Sequence, residues 1–184
     1  MIKKVLIANR GEIALRIVRA CRELGIETVA VHSTADTHAL HVRFADEAVC
    51  IGPPEPQQSY LRIPSIIAAA EVTGAEAVHP GYGFLAENAE FADICQQCGL
   101  RFIGPKPEHM RAWGSKVEAR ALAQRLGLPL MGGTGVLHSV EEAVSAAEKV
   151  GFPVMLKASA GGGGRGMKVV RDAETMRRVY PQAR

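Results

Sequence analysis

The stretch Lys3–His32 reads KKVLIANRGEIALRIVRACRELGIETVAVH and decides the fold class. Its first part, Lys3–Ala8, is a continuous apolar run with basic flanks, which is typical of a strand buried on both faces. Gly11–Leu24 follows with apolar residues at helical spacing, and Gly25 is a natural helix stop. Glu27–His32 is a second short run rich in β-branched residues. The order of strand, helix and strand predicts two parallel strands joined by a crossover helix.

The same alternation continues outward to residue 103. Short apolar runs separated by helices of ten or more residues predict an α/β fold with a doubly wound, Rossmann-like parallel sheet. The first strand–turn–helix lacks Gly-x-Gly-x-x-Gly, which argues against an NAD or FAD site. The further predicted strands are Glu47–Ile51, Ala75–His79 and Leu100–Ile103, and the further helices are Ile63–Val72 and Asn88–Cys98.

A change in composition at Gly104-Pro-Lys-Pro107 separates this part from the rest of the chain. Met131–Gly135 then has the composition of a hinge. Ser139 with Glu142 three residues later is a helix-start pattern, and Asp172 is a candidate N-cap for the last helix. The elements predicted here are helices at 108–113, 115–126 and 139–150, strands at 153–157 and 167–171, and a helix from 172.

A glycine-rich loop, KASAGGGGRGMK at Lys157–Lys168, follows an apolar strand. Such a loop can bring many backbone N–H groups to a phosphate, and its basic residues add positive charge. Lys157 ends the strand, where a buried ammonium is costly unless an anion meets it; the alternative is an edge-strand lysine that reaches water. The chain has no Walker A pattern, so the loop is predicted to cradle phosphates outside the P-loop class.

A second candidate site is the loop HPGYGFLAEN at His79–Asn88, directly after the fourth predicted strand. Ligands bind at the carboxyl ends of the strands in open α/β sheets. Two glycines around Tyr82 indicate a backbone close to a ligand, with an aromatic ring presented from the loop; the alternative is a tight structural connection. The turn Asn9–Ile13 also has two interpretations, a tight βα turn or a helix N-terminus that attracts an anion.

Composition excludes several classes of function. With 22 Lys and Arg against 19 Asp and Glu in 184 residues, and no basic block, nucleic acid is not an expected partner. No apolar run is long enough to span a bilayer and no presequence is visible, so the expected compartment is the cytoplasm.

Two possible metal or redox sites have weak support in the sequence. Cys95 and Cys98 form a CxxC without a second pair, so helix packing is favoured over zinc binding or redox chemistry. His38 and His41 are three residues apart near Asp36, but no third ligand converges on them. The expected number of metal sites is zero.

Taken together, these stretches resemble the N-terminal part of biotin carboxylase, the ATP-grasp component of acetyl-CoA carboxylase, with relatives in propionyl-CoA and pyruvate carboxylases. The resemblance runs over essentially the whole chain, and the joint order of its segments is specific. It implies a pre-ATP-grasp domain at 1–103, a helical linker at 104–130 and a partial ATP-grasp lid at 131–184. The segments are Ile7–Ala14, Val29–Ser33, His79–Asn88, Phe102–Pro105, and Lys157 with Gly161–Met167.

The resemblance also implies roles for individual residues. Tyr82 and Gly83 would line the biotin side, and Arg19 and Glu23 fall on the family's dimer-forming surface. No catalytic residue and no metal ligand is implied within the chain, because the family's Mg²⁺-binding glutamates, catalytic base and biotin-orienting arginine correspond to positions beyond residue 184. The implied ATP contacts are Lys116, Lys157, Gly161, Gly162, Gly163, Gly164, Arg165 and Gly166.

The implied reaction is the ATP-dependent carboxylation of biotin on a carrier protein, with bicarbonate activated through carboxyphosphate. Its cofactors are ATP, Mg²⁺ and carrier-bound biotin, and its partners are the biotin carboxyl carrier protein, a carboxyltransferase and a second copy in a homodimer. As an N-terminal fragment, the chain is expected to be inactive alone. Two alternatives stay open: another ATP-grasp carboxylate–amine ligase, and a non-catalytic truncated module for dimerisation or regulation.

Overall fold

The computed structural model describes residues 2–157 and 167–182, and the side chain of Lys116 is outside that description. Its contacts divide the chain into two compact units, Met1–Arg111 and Ala112–Arg184. The predicted phosphate loop, Gly161–Gly166, lies outside the described residues. The finer division of the chain at residues 103 and 130 stays a prediction.

The first unit is built on a five-stranded parallel sheet with the strand order β3-β2-β1-β4-β5. The central strand is β1, in which Val5 lies opposite Thr28 of β2 on one side and Ala77 of β4 on the other. This position explains the continuous apolar run of β1, because a central strand of a covered parallel sheet is buried on both faces. The strands are β1 Lys4–Ile7, β2 Glu27–Ser33, β3 Glu47–Gly52, β4 Ala77–His79 and β5 Arg101–Phe102.

Helices cover both faces of this sheet, which confirms the predicted doubly wound α/β fold. Ile7 packs with Ile17 of α1 in one apolar cluster, whereas Leu6 packs with Ile66 of α3 and Phe91 of α4 in the other. Burial of each such side chain stabilises the fold by roughly 1.5–3 kcal/mol. None of the helices in the described part of the chain is long and apolar enough to cross a membrane. The helices are α1 Gly11–Glu23, α2 Leu40–Phe44, α3 Ile63–Thr73, α4 Ala89–Gln97 and α5 Pro107–Gly114, the last of which contains the boundary between the units.

The second unit is smaller and has its own core. Two strands pair antiparallel, with Leu156 opposite Lys168. Helices pack against this pair and bury Ala143, Val170 and Met176 with Leu156. The elements are α6 Lys116–Arg125, α7 Val140–Val150, β6 Val154–Leu156, β7 Lys168–Val170 and α8 Ala173–Val179.

Both helix starts predicted for this unit are confirmed by the caps. The Glu142 N–H donates to Ser139 Oγ at 3.1 Å, and Glu142 Oε2 accepts a hydrogen bond from the His138 N–H at 2.8 Å. The Thr175 N–H donates to Asp172 Oδ1 at 2.6 Å. These bonds satisfy backbone donors that have no partner within a helix.

Candidate functional site

The strand order places a crevice between β1 and β4. The chain leaves β1 toward β2 on one side, and it returns on the other side of β1 as β4. Ile7 lies opposite His79, so the loops that follow the two strands start side by side at the carboxyl edge of the sheet. Such a reversal of strand order is where open α/β sheets bind ligands.

Asn9 ties these two loops together. Its side chain is almost fully buried, with 3% of the residue exposed. Asn9 Nδ2 donates to the carbonyl oxygens of Pro80 and Tyr82 at 2.7 and 2.8 Å, and Asn9 Oδ1 accepts from the Arg10 N–H at 2.9 Å. Both amide protons and the amide oxygen therefore have partners, as a buried amide requires. The turn after β1 holds the loop after β4 as well as connecting a strand to a helix.

Gly81 is required at the centre of this arrangement. It has φ +65°, and a Cβ built on it would lie 2.8 Å from Asn9 Nδ2 and 3.2 Å from Ile13 Cγ1. Any side chain at Gly81 would push against the Asn9 amide. The Gly81 N–H donates to His79 Nδ1 at 3.1 Å, and burial lowers the pKa of His79, so the imidazole is a neutral acceptor in this loop.

Tyr82 and Gly83, the residues predicted to line the biotin side, lie at the mouth of the crevice. Tyr82 is 62% exposed, and its hydroxyl is hydrogen-bonded to Glu12 Oε1 of α1, which raises the pKa of Tyr82. Gly83 has φ +69° and no atom within 4 Å of where a Cβ would stand, so a ligand can approach its backbone. The cavity has a volume of about 390 Å³ and is lined by Asn9, Arg10, Gly11, Glu12, Ile13, Tyr82, Gly83 and Phe84.

A larger depression of about 630 Å³ lies elsewhere on the first unit. Ile63 and Ile67 of α3 and Ile94 of α4 give it a mostly apolar lining, with Glu71 and Glu90 at its sides. Neither carboxylate has a partner among the described ion pairs. The candidate site is therefore the smaller crevice, where polar groups converge.

The paired residues of the weaker metal and redox hypotheses differ in burial. Cys95 is buried in the core on α4, where burial raises the pKa of its thiol to about 12, whereas Cys98 is exposed. His41 lies on α2 and is buried, whereas His38 is exposed and outside that helix. Within residues 2–157 and 167–182, no three metal-ligating side chains converge.

Of the predicted nucleotide contacts, the structure describes only Lys157 and the backbone of Lys116. Lys116 is the first residue of α6, and Lys157 directly follows β6. Lys157 is exposed, which agrees with the alternative of a lysine at the strand end that reaches water, and its contact with ATP stays a prediction. β6 belongs to a two-stranded sheet, so few neighbouring strands can cover the residue at its end.

Comparison with known proteins decides the family. Residues 1–110 match the family described as "Biotin carboxylase, N-terminal domain", and residues 115–184 match "Carbamoyl-phosphate synthase L chain, ATP binding domain". The chain belongs to the biotin carboxylase N-terminal domain family. The resemblance drawn from the sequence motifs is thereby confirmed.

Individual biotin carboxylases are close in sequence and structure. The chain is 61% identical to biotin carboxylase of Pseudomonas aeruginosa over 174 residues, which is 94% of this chain and 39% of that protein. A biotin carboxylase complex from Campylobacter jejuni, described as bound to β-γ-ATP, superposes with a TM-score of 0.95 at 47% identity and covers 100% of this chain and 41% of that one. The chain thus spans about 39% of the length of the curated biotin carboxylases that it matches first.

A third relative carries information on ligands and assembly. The biotin carboxylase domain dimer of the Hydrogenobacter thermophilus 2-oxoglutarate carboxylase, described in complex with MgADP, ADP and bicarbonate, superposes with a TM-score of 0.92 at 49% identity. The match covers 100% of this chain and 40% of the Hydrogenobacter thermophilus chain. The described residues of this chain therefore share the fold of biotin carboxylase domains.

Sequence reasoning missed the two residues that organise the crevice. Asn9 and Gly81 belong to the motifs Asn9–Ile13 and His79–Asn88, but the sequence pattern marks neither of them as a site residue. One signal could have identified Asn9: it is a polar residue directly after a strand that is buried on both faces, and such a residue needs internal partners. Those partners, Pro80 and Tyr82, are more than 70 residues away in the chain.

Proposed function

We propose that this protein takes part in the ATP-dependent carboxylation of biotin on a carrier protein, with bicarbonate as the source of the carboxyl group. The observation that carries the proposal is the conjunction of a biotin carboxylase N-terminal domain with a ligand crevice at its strand-order reversal, from which Tyr82 is presented. The ATP-binding match over residues 115–184 supports the nucleotide part.

The biotin side of the proposed site is the crevice between β1 and β4. The exposed ring of Tyr82 offers a flat apolar surface for the bicyclic ring of biotin, and Gly83 leaves room for close approach to the backbone. The hydroxyl of Tyr82 is engaged by Glu12, which fixes the direction of the ring. This chain would therefore position biotin by packing rather than supply a group that reacts with it.

The proposed nucleotide site is a separate one and lies in the second unit. Lys157 is an exposed cation at the end of β6, where the chain enters the glycine-rich segment, and it fits the charge of a phosphate. We assign ATP contacts to Lys116 and Lys157, and phosphate contacts to the backbone of Gly161–Gly164 and Gly166 with Arg165. Cations and backbone N–H groups held in this way stabilise charge on a phosphoryl group that is being transferred. ATP and Mg²⁺ supply the activation of bicarbonate.

The proposed partners are the biotin carboxyl carrier protein, a carboxyltransferase and a second copy of the protein. Arg19 and Glu23 support the homodimer, because both lie exposed on α1 with their charges available for contact. Neither residue has an ion-pair partner among the described residues of the chain.

Titration of ATP with Mg²⁺ into the 184-residue chain by isothermal calorimetry tests the nucleotide assignment. We expect Lys116→Ala and Lys157→Ala each to weaken binding at least about tenfold, since each removes a cation that pairs with a phosphate. Lys149→Ala is the matched control, because Lys149 is an exposed lysine in the last turn of α7 of the same unit. Equal affinity of all three variants, or no ATP binding by the unmodified chain, would refute the assignment.

A further inference from the structure

Phe84 has an unusual backbone conformation. Its φ is +42°, and it is the single residue other than glycine with positive φ among the described residues. A bulky side chain in this region of backbone space is strained, and it stays there only when its surroundings hold it. Phe84 lies two residues after Tyr82 and lines the same crevice. Whatever holds Phe84 also sets the path of the loop that carries Tyr82.

The ring of Phe84 is held by Tyr60. The two rings stack with their centroids 5.1 Å apart and an interplanar angle of 15°. Tyr60 is a fixed partner, because it is fully buried in the core on the same face of the sheet. The stack therefore anchors the loop to the interior of the first unit.

Arg10 closes this cluster from the side of the crevice. Its guanidinium carbon lies 5.3 Å from the centroid of Tyr60 and 5.6 Å from that of Phe84, within the range of cation–π attraction. Arg10 Nη1 also donates to Asp36 Oδ2 at 3.2 Å. One cation thus joins the turn after β1 to the rings and to the segment after β2.

Asp36 fixes both Arg10 and Tyr60. Its Oδ2 accepts from the Tyr60 hydroxyl at 2.7 Å and from Ser33 Oγ at 2.8 Å, in addition to Arg10. The Tyr60 oxygen in turn accepts from the Ser33 N–H at 2.9 Å. Burial raises the pKa of Asp36, but the hydrogen bonds from Tyr60, Ser33 and Arg10 outweigh it and lower that pKa overall. The carboxylate is therefore charged when it holds the arginine.

We propose that Arg10, Asp36 and Tyr60 are positioning residues that keep Phe84 in its left-handed conformation and so aim the Tyr82 loop into the crevice. The proposal rests on the proposed biotin role of that crevice, which it deepens by naming what shapes it. Asp36 and Tyr60 do not line the crevice and act on the ligand through the loop, whereas Arg10 also lines the crevice. Their loss should change the order of the loop and the affinity for biotin, and it should leave ATP binding unchanged.

The test compares Arg10→Ala with Arg16→Ala in the full 184-residue chain. Arg16 is an exposed arginine of α1, the helix that begins directly after Arg10, and it forms none of the described ion pairs, so it is the matched control. Hydrogen exchange followed by mass spectrometry on residues 80–88 is expected to be at least about tenfold faster in Arg10→Ala, with Arg16→Ala unchanged. Free biotin, titrated by ligand-observed NMR, is expected to bind at least about fivefold more weakly, with the ATP affinity equal to that of the unmodified chain.

A second pair of variants separates positioning from general stability. Phe84→Tyr keeps the stacked ring and is expected to leave exchange in 80–88 unchanged, whereas Phe84→Ala removes the ring and is expected to accelerate it. Unchanged exchange in both Arg10→Ala and Phe84→Ala would overturn the proposal. Faster exchange with unchanged biotin affinity would support the positioning role and contradict the biotin role of the crevice, so the two failures are distinguishable.

Discussion

The edge of the sheet that carries Tyr82 and the end of β6 that carries Lys157 are built in different ways. At the edge of the parallel sheet, the side chain of Asn9, which follows β1, holds the loop that follows β4. All hydrogen-bonding groups of the Asn9 side chain have partners. At the second, a lysine stands exposed at the end of a two-stranded sheet. A parallel sheet of five strands brings the loops that follow several strands to one edge, where they can contact each other. A two-stranded antiparallel sheet brings fewer loops together. The predictions below test this difference, from the largest effect to the smallest.

The largest effect is expected from Gly81→Ala. The new Cβ would stand 2.8 Å from Asn9 Nδ2 at a residue with φ +65°, so it would both strain the backbone and disturb a buried amide. We expect a loss of about 2–4 kcal/mol in the free energy of unfolding, measured by urea denaturation. Gly83→Ala is the matched control, because its φ is similar but nothing lies within 4 Å; its cost should stay near about 1–2 kcal/mol. Equal losses would show that the Asn9 clamp contributes nothing.

An intermediate effect is expected from removal of one helix cap in each unit. Asn88 caps α4 by accepting from the Phe91 N–H at 2.9 Å, and Ser139 caps α7 in the second unit. Asn88→Ala and Ser139→Ala should each cost about 1 kcal/mol. Hydrogen exchange resolved by peptide should assign each loss to the unit that contains the cap. If one substitution reduced the protection against exchange equally in both units, the two units would not be independent in stability.

The smallest effect concerns pH and is confined to the first unit. His41 is buried, and neither ring nitrogen has a hydrogen-bond partner in the part of the chain that the structure describes. Burial lowers the pKa of His41, an effect opposed by the Val31 backbone and Asp36 and reinforced by His32 and Arg10. The unfolded chain therefore binds a proton at His41 more readily than the folded chain does. Stability that is present above pH about 6.5 should decline as the pH falls toward the lower folded pKa.

His41→Leu should reduce this decline, as measured by urea denaturation between pH 7.5 and 5.5. Some of the decline should remain, because burial also lowers the pKa of His79. The control is the same substitution at His138, an exposed histidine of the second unit. An unchanged slope in His41→Leu would contradict the assignment.

The candidate site was predictable in part, and the limit was the distance along the chain between interacting residues. The loop at His79–Asn88 was recognised because its glycines, aromatic ring and place after a strand are local features. Asn9 was interpreted as part of a tight turn or an anion site, because its hydrogen-bond partners lie in a distant loop. Tyr60 gave no local signal either: its partners, Asp36 and Phe84, meet it only in the folded chain.

The exposure of Lys157 is a second property that the local sequence does not predict. An apolar run before a lysine predicts a strand, and β6 confirms it. How much water reaches the end of that strand depends on the number of its neighbours in the sheet. The sequence of a three-residue strand does not indicate how many strands lie beside it.

By itself, the sequence determined all five strands of the parallel sheet, most of the helices, the helix starts at Ser139 and Asp172, and the family that the chain resembles. Those properties follow from periodicity, capping residues and ordered motifs, all of which act over a few residues. Only the tertiary structure decided that β1 lies between β2 and β4, that Asn9 holds the Tyr82 loop, and that Arg10, Asp36 and Tyr60 hold Phe84. The physical reason is that strand order and the contacts it creates join residues far apart in the chain, and these are fixed only when the whole sheet is assembled.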